Sequence, residues 1–249
     1  MYHFFVEEEQ MQDDCKSLII TGDDYNHIAN VIRLKIGDEI SVSIRDGNSA
    51  EYRYGIEEIT EDEIICSLRF IKEDGVELPS KLYLFQGLPK ADKMELIVQK
   101  AVELGAFSII PVATKRSVVK LDENRAAAKV KRWQAISEAA GKQSKRSIIP
   151  EVTMPVTMKQ AVQMASEMDI KLIPYELADG MEQTRKIISE IKPGQSVAIF
   201  IGPEGGFDEK EIELAMGSGI VPVTMGKRIL RTETAGFTML AWLMYQLEN

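Results

Sequence analysis

The feature that most constrains the fold is a regular alternation of strand-like and helix-like segments from residue 81 to the end of the chain. Short runs of β-branched and aromatic residues are separated by segments with helical apolar spacing. In the clearest of these, residues 91–105, apolar side chains share one face and Gly105 stands where a helix would end. This alternation favours a mainly parallel sheet covered on both faces. The strand-like runs are KLYLFQGL, FSIIPVA, IKLIPYE, SVAIFIG and VPVTMG.

The first 72 residues show a different pattern, with short strands and close turns. The runs GDEISVSI and EYRYGIEEIT flank a turn signal at residues 45–48, and EIICSLRFI follows a second charged turn. This spacing predicts a small β-barrel. Because residues 72–81 are charged and contain Gly and Pro, we expect a linker there, between a domain of residues 1–72 and one of residues 73–249.

The net charge of −9 conceals a local basic segment. Residues 1–72 hold sixteen acidic and seven basic side chains, whereas residues 115–146 hold ten basic and three acidic ones. The basic residues of this predicted helix could form a solvated face, but their excess in an acidic protein favours a nucleic-acid contact.

Several classes of protein find no support in the sequence. No apolar run reaches the roughly 18 residues of a membrane span, and the acidic N-terminus does not resemble a secretory signal. Two cysteines and two histidines, without metal-ligand spacing, predict neither a metal site nor a disulfide framework. We expect a cytoplasmic protein that binds no metal and no membrane.

A glycine-rich loop, IGPEGG at residues 201–206, follows one of the predicted buried strands. It matches neither nucleotide-binding motif, since both the Walker pattern and GxGxxG are absent. The loop is either a structural turn or a place where a ligand approaches the backbone. Asp208 and Glu211, just beyond it, have the spacing of a helix N-terminal cap.

A second loop, GKRILRTETA at residues 226–235, stands at another strand-to-helix junction. Either Thr232 or Thr234 caps the last helix and the basic residues are solvated, or the loop joins a ligand site. Ligands of open α/β sheets bind outside the carboxyl ends of strands, where LIPYE, IGPEGG and TMGKRIL would converge. The last helix is apolar over most of its circumference, which predicts burial within the domain or in a dimer interface.

The paired motifs IGPEGGF and MGKRILRTETA resemble those of the ribosomal small-subunit methyltransferase E family, of the SPOUT class. LPKADKMELIVQKAVELG, HIANVIRLKIGDEI and RW..I..EAAGKQSKR..IPE extend the resemblance over essentially the whole chain. One departure is His3, where the family often has Arg. The resemblance implies a PUA-like RNA-binding barrel over residues 1–72 and a trefoil-knotted α/β methyltransferase domain over residues 73–249. It also implies an obligate homodimer that uses S-adenosylmethionine to methylate N3 of one uridine in the 16S rRNA of the assembled small ribosomal subunit.

The resemblance further implies a site at the three loops. The glycines would let backbone groups approach the cofactor, and a carboxylate would be tolerated near its sulfonium. Arg231 and Glu233 would face the methyl group and the base, with Glu233 as general base, as a group that orients Arg231 or as a helix cap. The residues expected to bind the cofactor are Ile173, Pro174, Tyr175, Ile201, Gly202, Pro203, Glu204, Gly205, Gly206, Met225, Gly226, Ile229, Leu230 and Thr232. Those expected to contact RNA are Arg33, Lys90, Lys93, Arg116, Lys142, Lys145 and Arg146.

Two other functions remain open at this point. A non-catalytic RNA-binding factor of ribosome assembly would account for the barrel and the basic helix but leaves both loops without a role. A nucleotide hydrolase would account for a glycine loop but lacks the phosphate-binding Lys-Ser/Thr pair.

Overall fold

The protein is described by a computed structural model over residues 1–44, 50–72, 75–175 and 180–248. The turn predicted at residues 45–48 and two residues of the expected linker lie outside these ranges. The chain forms two compact units, one of residues 1–77 and 141–149, the other of residues 78–140 and 150–249.

The first unit is built on a six-stranded sheet. Its strand order is β1-β4-β5-β6-β3-β2, with β1 and β4 parallel and the other pairs antiparallel. The strands are β1 (His3–Val6), β2 (Met11–Gln12), β3 (Ser17–Thr21), β4 (Glu39–Ile44), β5 (Glu51–Ile59) and β6 (Glu63–Lys72). A 3-10 turn (Glu8–Gln10), the short helix α1 (Gly22–Asn26) and a π-helical turn (His27–Ile32) connect them.

One face of this sheet forms an apolar core. On β3 only Leu18 and Ile20 are fully buried, as a strand with one covered face requires. Ile40, Tyr54 and Ile64 from the neighbouring strands complete the same core. The prediction that the N-terminal part is β-rich is confirmed, whereas the domain bounds, residues 1–72 and 73–249, stay a prediction.

A buried ion pair attaches a later stretch of chain to the first unit. Arg146 is 4% exposed, and its guanidinium donates hydrogen bonds to the carboxylate of Glu77. The backbone N–H groups of Ser147 and Ile148 donate to the same carboxylate at 2.9 and 3.3 Å. A buried charge is stable only when it is paired and hydrogen-bonded in this way.

The second unit alternates strands and helices, as the sequence predicted. The strands are β7 (Lys81–Gly87), β8 (Ala106–Ala113), β9 (Glu151–Val152), β10 (Val156–Thr157), β11 (Ile170–Pro174), β12 (Ser196–Ile201) and β13 (Val221–Val223). The helices are α2 (Lys93–Glu103), α3 (Glu123–Ser144), α4 (Met158–Ala165), α5 (Met181–Ser189), α6 (Glu209–Gly217) and α7 (Thr232–Leu247). The last residues of α3 belong to the first unit.

All strand pairs of the second sheet are parallel, in the order β10-β8-β7-β12-β11-β13, with β9 beside β8. Side chains of α2 and α7 bury one face of the sheet, and side chains of α4 and α6 bury the other. Phe85 of β7 and Phe200 of β12 stack at 4.5 Å within the second of these cores. The expected α/β architecture is confirmed, whereas the trefoil knot stays a prediction.

Candidate active site

The candidate site lies at the carboxyl edge of the parallel sheet. Strands β7 and β11 flank β12, and β13 lies beyond β11, so the segments that follow these strands leave the sheet at one edge. The glycine-rich loop follows β12, residues 224–231 connect β13 to α7, and residues 88–92 connect β7 to α2. The structure therefore adds the segment after β7 to the three predicted loops.

Three glycines at this edge are needed because protein atoms crowd them. A Cβ on Gly87 would lie 2.7 Å from the nitrogen of Pro203, and one on Gly202 would lie 3.1 Å from Gly206. A Cβ on Gly205 would lie 3.3 Å from the Cβ of Arg116. These contacts, rather than a ligand alone, account for the glycines. Gly206 differs, since it has φ +66° and nothing within 4 Å of its Cβ position.

A buried hydrogen-bond chain joins three of the segments. The side-chain amide of Gln86, at the end of β7, donates to the Thr232 hydroxyl at 2.8 Å. That hydroxyl donates to the carbonyl oxygen of Gly202 at 2.6 Å. Thr232 is therefore the first residue of α7 but not its cap; the N-cap is Arg231, without a side-chain cap bond. The expectation that Thr232 or Thr234 caps this helix is wrong, because the Thr232 hydroxyl points into the sheet edge.

Two carboxylates share one ammonium group at the mouth of the loops. The Lys93 Nζ atom lies 2.9 Å from Oε1 of Glu204 and 3.6 Å from Oε2 of Glu233. The Lys90 backbone N–H also donates to both oxygens of Glu204, at 3.1 and 3.3 Å. Glu204 thus connects the glycine loop to the segment before α2.

The hydrogen bonds of this cluster favour the charged forms. The hydrogen bond to Glu204 raises the pKa of the Lys93 ammonium above its ordinary value. Burial acts to raise the pKa of the Glu204 carboxyl, but hydrogen bonds from Lys93 and from the backbone outweigh it, so this pKa is lowered. Both groups are therefore ionised at neutral pH.

Arg231 and Glu233 stand at the start of α7 with unused hydrogen-bonding capacity. Arg231 is exposed, and its guanidinium makes no hydrogen bond or ion pair with any described residue. The Glu233 side chain is 15% exposed, and its buried Oε2 accepts no hydrogen bond. Arg231, as the N-cap, and Glu233, in the first turn, both lie where the loop after β13 meets α7.

The other predicted cofactor residues lie on the same edge. Ile173 and Ile201 are buried at the ends of their strands, and the Tyr175 N–H donates to the carbonyl of Val223 at 2.9 Å. In the loop after β13, Gly226 has φ +100° and Ile229 is 91% exposed. Pro203 is buried, and Pro174, Met225 and Leu230 are half-buried.

The segment after β8 borders the glycine loop from its other side. The guanidinium of Arg116 donates to the carbonyl of Gly205 at 3.1 Å, and Lys115 pairs with Asp208 at 2.9 Å. Asp208 caps α6, because its side chain accepts from the N–H of Lys210 and Glu211 completes the capping box. The predicted cap at Asp208 is confirmed.

The remaining predicted RNA contacts lie in the first unit. Arg33 is exposed, with φ +61°, and Lys145 is exposed, with φ +59°. Lys142 lies 3.4 Å from Asp24 with 30% of its side chain exposed. Arg146 is buried against Glu77, so its guanidinium is not presented to solvent or to a phosphate backbone. This correction follows from the cost of leaving a buried carboxylate unpaired.

Sequence reasoning missed Gln86. It is fully buried, its amide nitrogen also donates to the carbonyl of Gly87 at 3.0 Å, and its Oε1 accepts no hydrogen bond. The available signal was one amide side chain in an otherwise apolar strand, KLYLFQGL, since a buried polar group needs a partner.

The described ranges contain neither a metal-binding cluster nor a membrane-spanning helix. In residues 1–44, 50–72, 75–175 and 180–248, no group of three or more His, Cys, Asp or Glu side chains is arranged to hold a metal ion. Across the same ranges, no helix combines the length and the apolar character needed to cross a membrane.

Comparison with protein families defines the class of the chain. Residues 76–244 match the model of an RNA methyltransferase domain, and residues 20–69 match that of an RNA methyltransferase PUA domain. The first match spans the sheet and all the loops described above. The chain is therefore an RNA methyltransferase of the kind that carries a PUA domain.

Individual relatives narrow this class. The chain is 36% identical to the ribosomal RNA small subunit methyltransferase E of Bacillus subtilis, over all of this chain and 98% of that protein. A protein of the same name from Mesomycoplasma hyopneumoniae is 33% identical, over 96% and 97% of the two chains. The crystal structure of this methyltransferase from Neisseria gonorrhoeae, bound to S-adenosylmethionine, has a TM-score of 0.81 and 28% identity, and covers 98% of this chain and 97% of that one. The chain belongs to the ribosomal RNA small subunit methyltransferase E family.

Proposed function

We propose that the protein transfers the methyl group of S-adenosylmethionine to N3 of one uridine in the 16S rRNA of the assembled small ribosomal subunit, in the cytoplasm. The observation that carries the proposal is the pair at the start of α7. An unpartnered guanidinium, Arg231, and a carboxylate with a free buried oxygen, Glu233, directly follow a loop of the candidate site. Membership in the family, and the cofactor in the Neisseria gonorrhoeae relative, support this assignment.

The residues at the sheet edge fit an adenosyl ligand. Two buried acceptor oxygens, Oε1 of Gln86 and Oε2 of Glu233, have no hydrogen-bond donor among the residues that the structure describes. Such oxygens suit a ligand that carries amino and hydroxyl donors. The glycine at position 206 leaves open space beside the backbone. We expect the loop residues predicted from the family resemblance to hold the cofactor here. Glu204 would fix the glycine loop to the segment before α2 through its contacts to Lys90 and Lys93.

Glu233 and Arg231 would have different roles in the reaction of the base. Glu233 accepts the N3 proton, and Arg231 stabilises the negative charge that then spreads over the ring nitrogen and its two carbonyl oxygens. When bound, S-adenosylmethionine supplies the methyl group: the N3 electron pair forms the new N–C bond, and the electrons of the broken S–C bond stay on sulfur. A guanidinium offers two donors in a rigid plane, which matches two acceptor positions on the base.

Five of the basic side chains predicted to contact RNA would hold the RNA backbone. These are Lys90 and Arg116 beside the site, and Arg33, Lys142 and Lys145 in the first unit. Phosphate contacts of this kind make affinity fall steeply with salt. Arg146 is left out of this set because it is buried.

We also propose that the active form is a homodimer with α7 in its interface. Phe237, Trp242 and Met244 on this helix are only half-buried, and Tyr245 is 73% exposed. An obligate interface buries about 2,000 Å² or more, which requires an apolar surface of this kind. Light scattering over a range of concentrations tests the proposal, and an active monomer would contradict it.

The direct test of function is methyl transfer to isolated RNA and to ribosomal particles. Small subunits that lack the modification are incubated with the protein and S-adenosylmethionine labelled in its methyl group, and mass spectrometry of nuclease fragments locates the label. Naked 16S rRNA serves as the second substrate. We expect one labelled uridine, modified at N3, in the small subunit. RNA binding without label in either substrate would support the non-catalytic assembly factor instead.

A further inference from the structure

Lys93 lies inside the candidate site rather than on a free surface. It is the first residue of α2, and 30% of its side chain is exposed. Its ammonium group is directed to the two carboxylates of the cluster, at 2.9 and 3.6 Å. By comparison, the Lys115 side chain, whose ammonium pairs with Asp208, is 67% exposed.

The two carboxylates differ in how completely they are satisfied. Glu204 receives the ammonium of Lys93 and the N–H of Lys90, so both of its oxygens have donors. Glu233 has only the longer contact to Lys93, and its buried Oε2 accepts no hydrogen bond. Glu204 therefore fixes the ammonium, and Glu233 keeps a free acceptor next to it.

We propose that Lys93 is a positioning residue, anchored by Glu204, that keeps the Glu233 carboxylate aimed at the substrate. The inference rests on the proposed function, since it assigns the orientation of the proton acceptor in that reaction. It replaces the RNA-backbone contact that the sequence suggested for Lys93.

Removing the ammonium would disturb the orientation of Glu233. Without the cation between them, the two carboxylates of the cluster repel each other, and the less firmly held one, Glu233, turns away. A rotated Glu233 could not accept the N3 proton in line with methyl transfer. A displacement of about 1 Å at a reacting group can lower a rate on the order of 10²-fold.

The test compares Lys93→Met, Lys93→Arg and Lys100→Met in single-turnover methyl transfer, at saturating cofactor and small-subunit substrate. Methionine keeps most of the apolar stem and removes the charge, whereas arginine keeps the charge. Lys100 lies two turns further along α2 in a partly buried pair with Glu103, so its variant is a matched control for loss of a paired lysine charge. Calorimetry with S-adenosylmethionine and RNA binding at several salt concentrations accompany the rates, and circular dichroism verifies folding.

We expect Lys93→Met to lower the single-turnover rate on the order of 10²-fold at unchanged cofactor affinity, because the Glu233 carboxylate is then no longer held in place. Its RNA affinity should keep the wild-type salt dependence. Lys93→Arg should restore most of the rate, and Lys100→Met should match the wild type. A normal saturating rate in Lys93→Met, combined with weaker RNA binding and a shallower salt dependence, would overturn the inference and return Lys93 to the RNA contacts. Failure of the wild-type protein to transfer methyl would refute the proposed function instead.

Discussion

Replacement of Thr232 by valine should loosen the junction between β7, the glycine loop and α7. Valine has nearly the shape of threonine, but it can neither accept from the Gln86 amide nor donate to the Gly202 carbonyl, which lie 2.8 and 2.6 Å from the hydroxyl. Thr232 is 5% exposed, so water does not readily replace these bonds. An orphaned buried polar group costs about 1–3 kcal/mol, and the partly exposed Gly202 carbonyl should cost less than the Gln86 amide. We therefore expect a loss of about 2 kcal/mol in the free energy of unfolding.

The assay for this loss is urea unfolding followed by tryptophan fluorescence. Both tryptophans of the chain, Trp133 and Trp242, lie in the second unit, so the signal reports on the unit that contains the substitution. A loss of 2 kcal/mol should also lower the Tm by roughly 4–8 °C in a chain of this length. Thr234→Val is the matched control, because Thr234 is exposed two residues further along the same helix. Equal stability of the two valine variants would refute the reasoning, as would a Thr232→Ser variant no more stable than Thr232→Val.

Three further outcomes test the site and the first unit. Arg231→Ala should keep the cofactor affinity, but its single-turnover rate should fall on the order of 10²–10³-fold, and Arg231→Lys should recover little of that rate. A near-normal rate in either variant would show that Arg231 has no role in the reaction. Charge reversal at Lys142 and Lys145 together should weaken RNA binding and reduce its salt dependence, while calorimetry shows unchanged cofactor affinity. An unchanged salt dependence of RNA binding would exclude both residues from the RNA contacts. Burial lowers the pKa of His3, although Glu51 acts to raise it, so the unfolded chain takes up a proton near pH 6.5 before the folded chain does. Stability should therefore fall as pH drops below about 6.5, and by less in His3→Gln; identical pH dependence of urea unfolding in the two proteins would contradict this assignment.

The alternation of strands and helices could be predicted from the sequence because each element of the second unit carries its own periodicity. The segments LYLF of β7 and VAIFI of β12 are continuous apolar runs, as strands covered on both faces require, and α2 ends near the predicted Gly105. The cap at Asp208 could be predicted for the same reason, since a capping box lies within four residues of chain.

Contacts between distant segments could not be predicted in this way. The Lys93 ammonium meets a carboxylate 111 and another 140 positions later in the chain, and only the packing of loops after different strands brings them together. The same holds for Gln86 and Thr232. Arg146 gives the opposite case, because its place in a basic segment suggested an exposed side chain and its burial against Glu77 left no local trace. Local patterns therefore gave the elements, whereas the partners of the site residues required the structure.

The buried pair between Glu77 and Arg146 has a consequence for synthesis of the protein. The first unit contains residues 141–149, so the segment that satisfies Glu77 is synthesised only after residues 78–140 of the second unit. Nascent chains generally fold domain by domain from the N-terminus. Here the Glu77 carboxylate, which follows the N-terminal sheet in the sequence, lacks its guanidinium partner until Arg146 has been synthesised. A fragment that ends at residue 77 keeps this charge without its guanidinium. The N-terminal unit thus matures late, although its strands are made first.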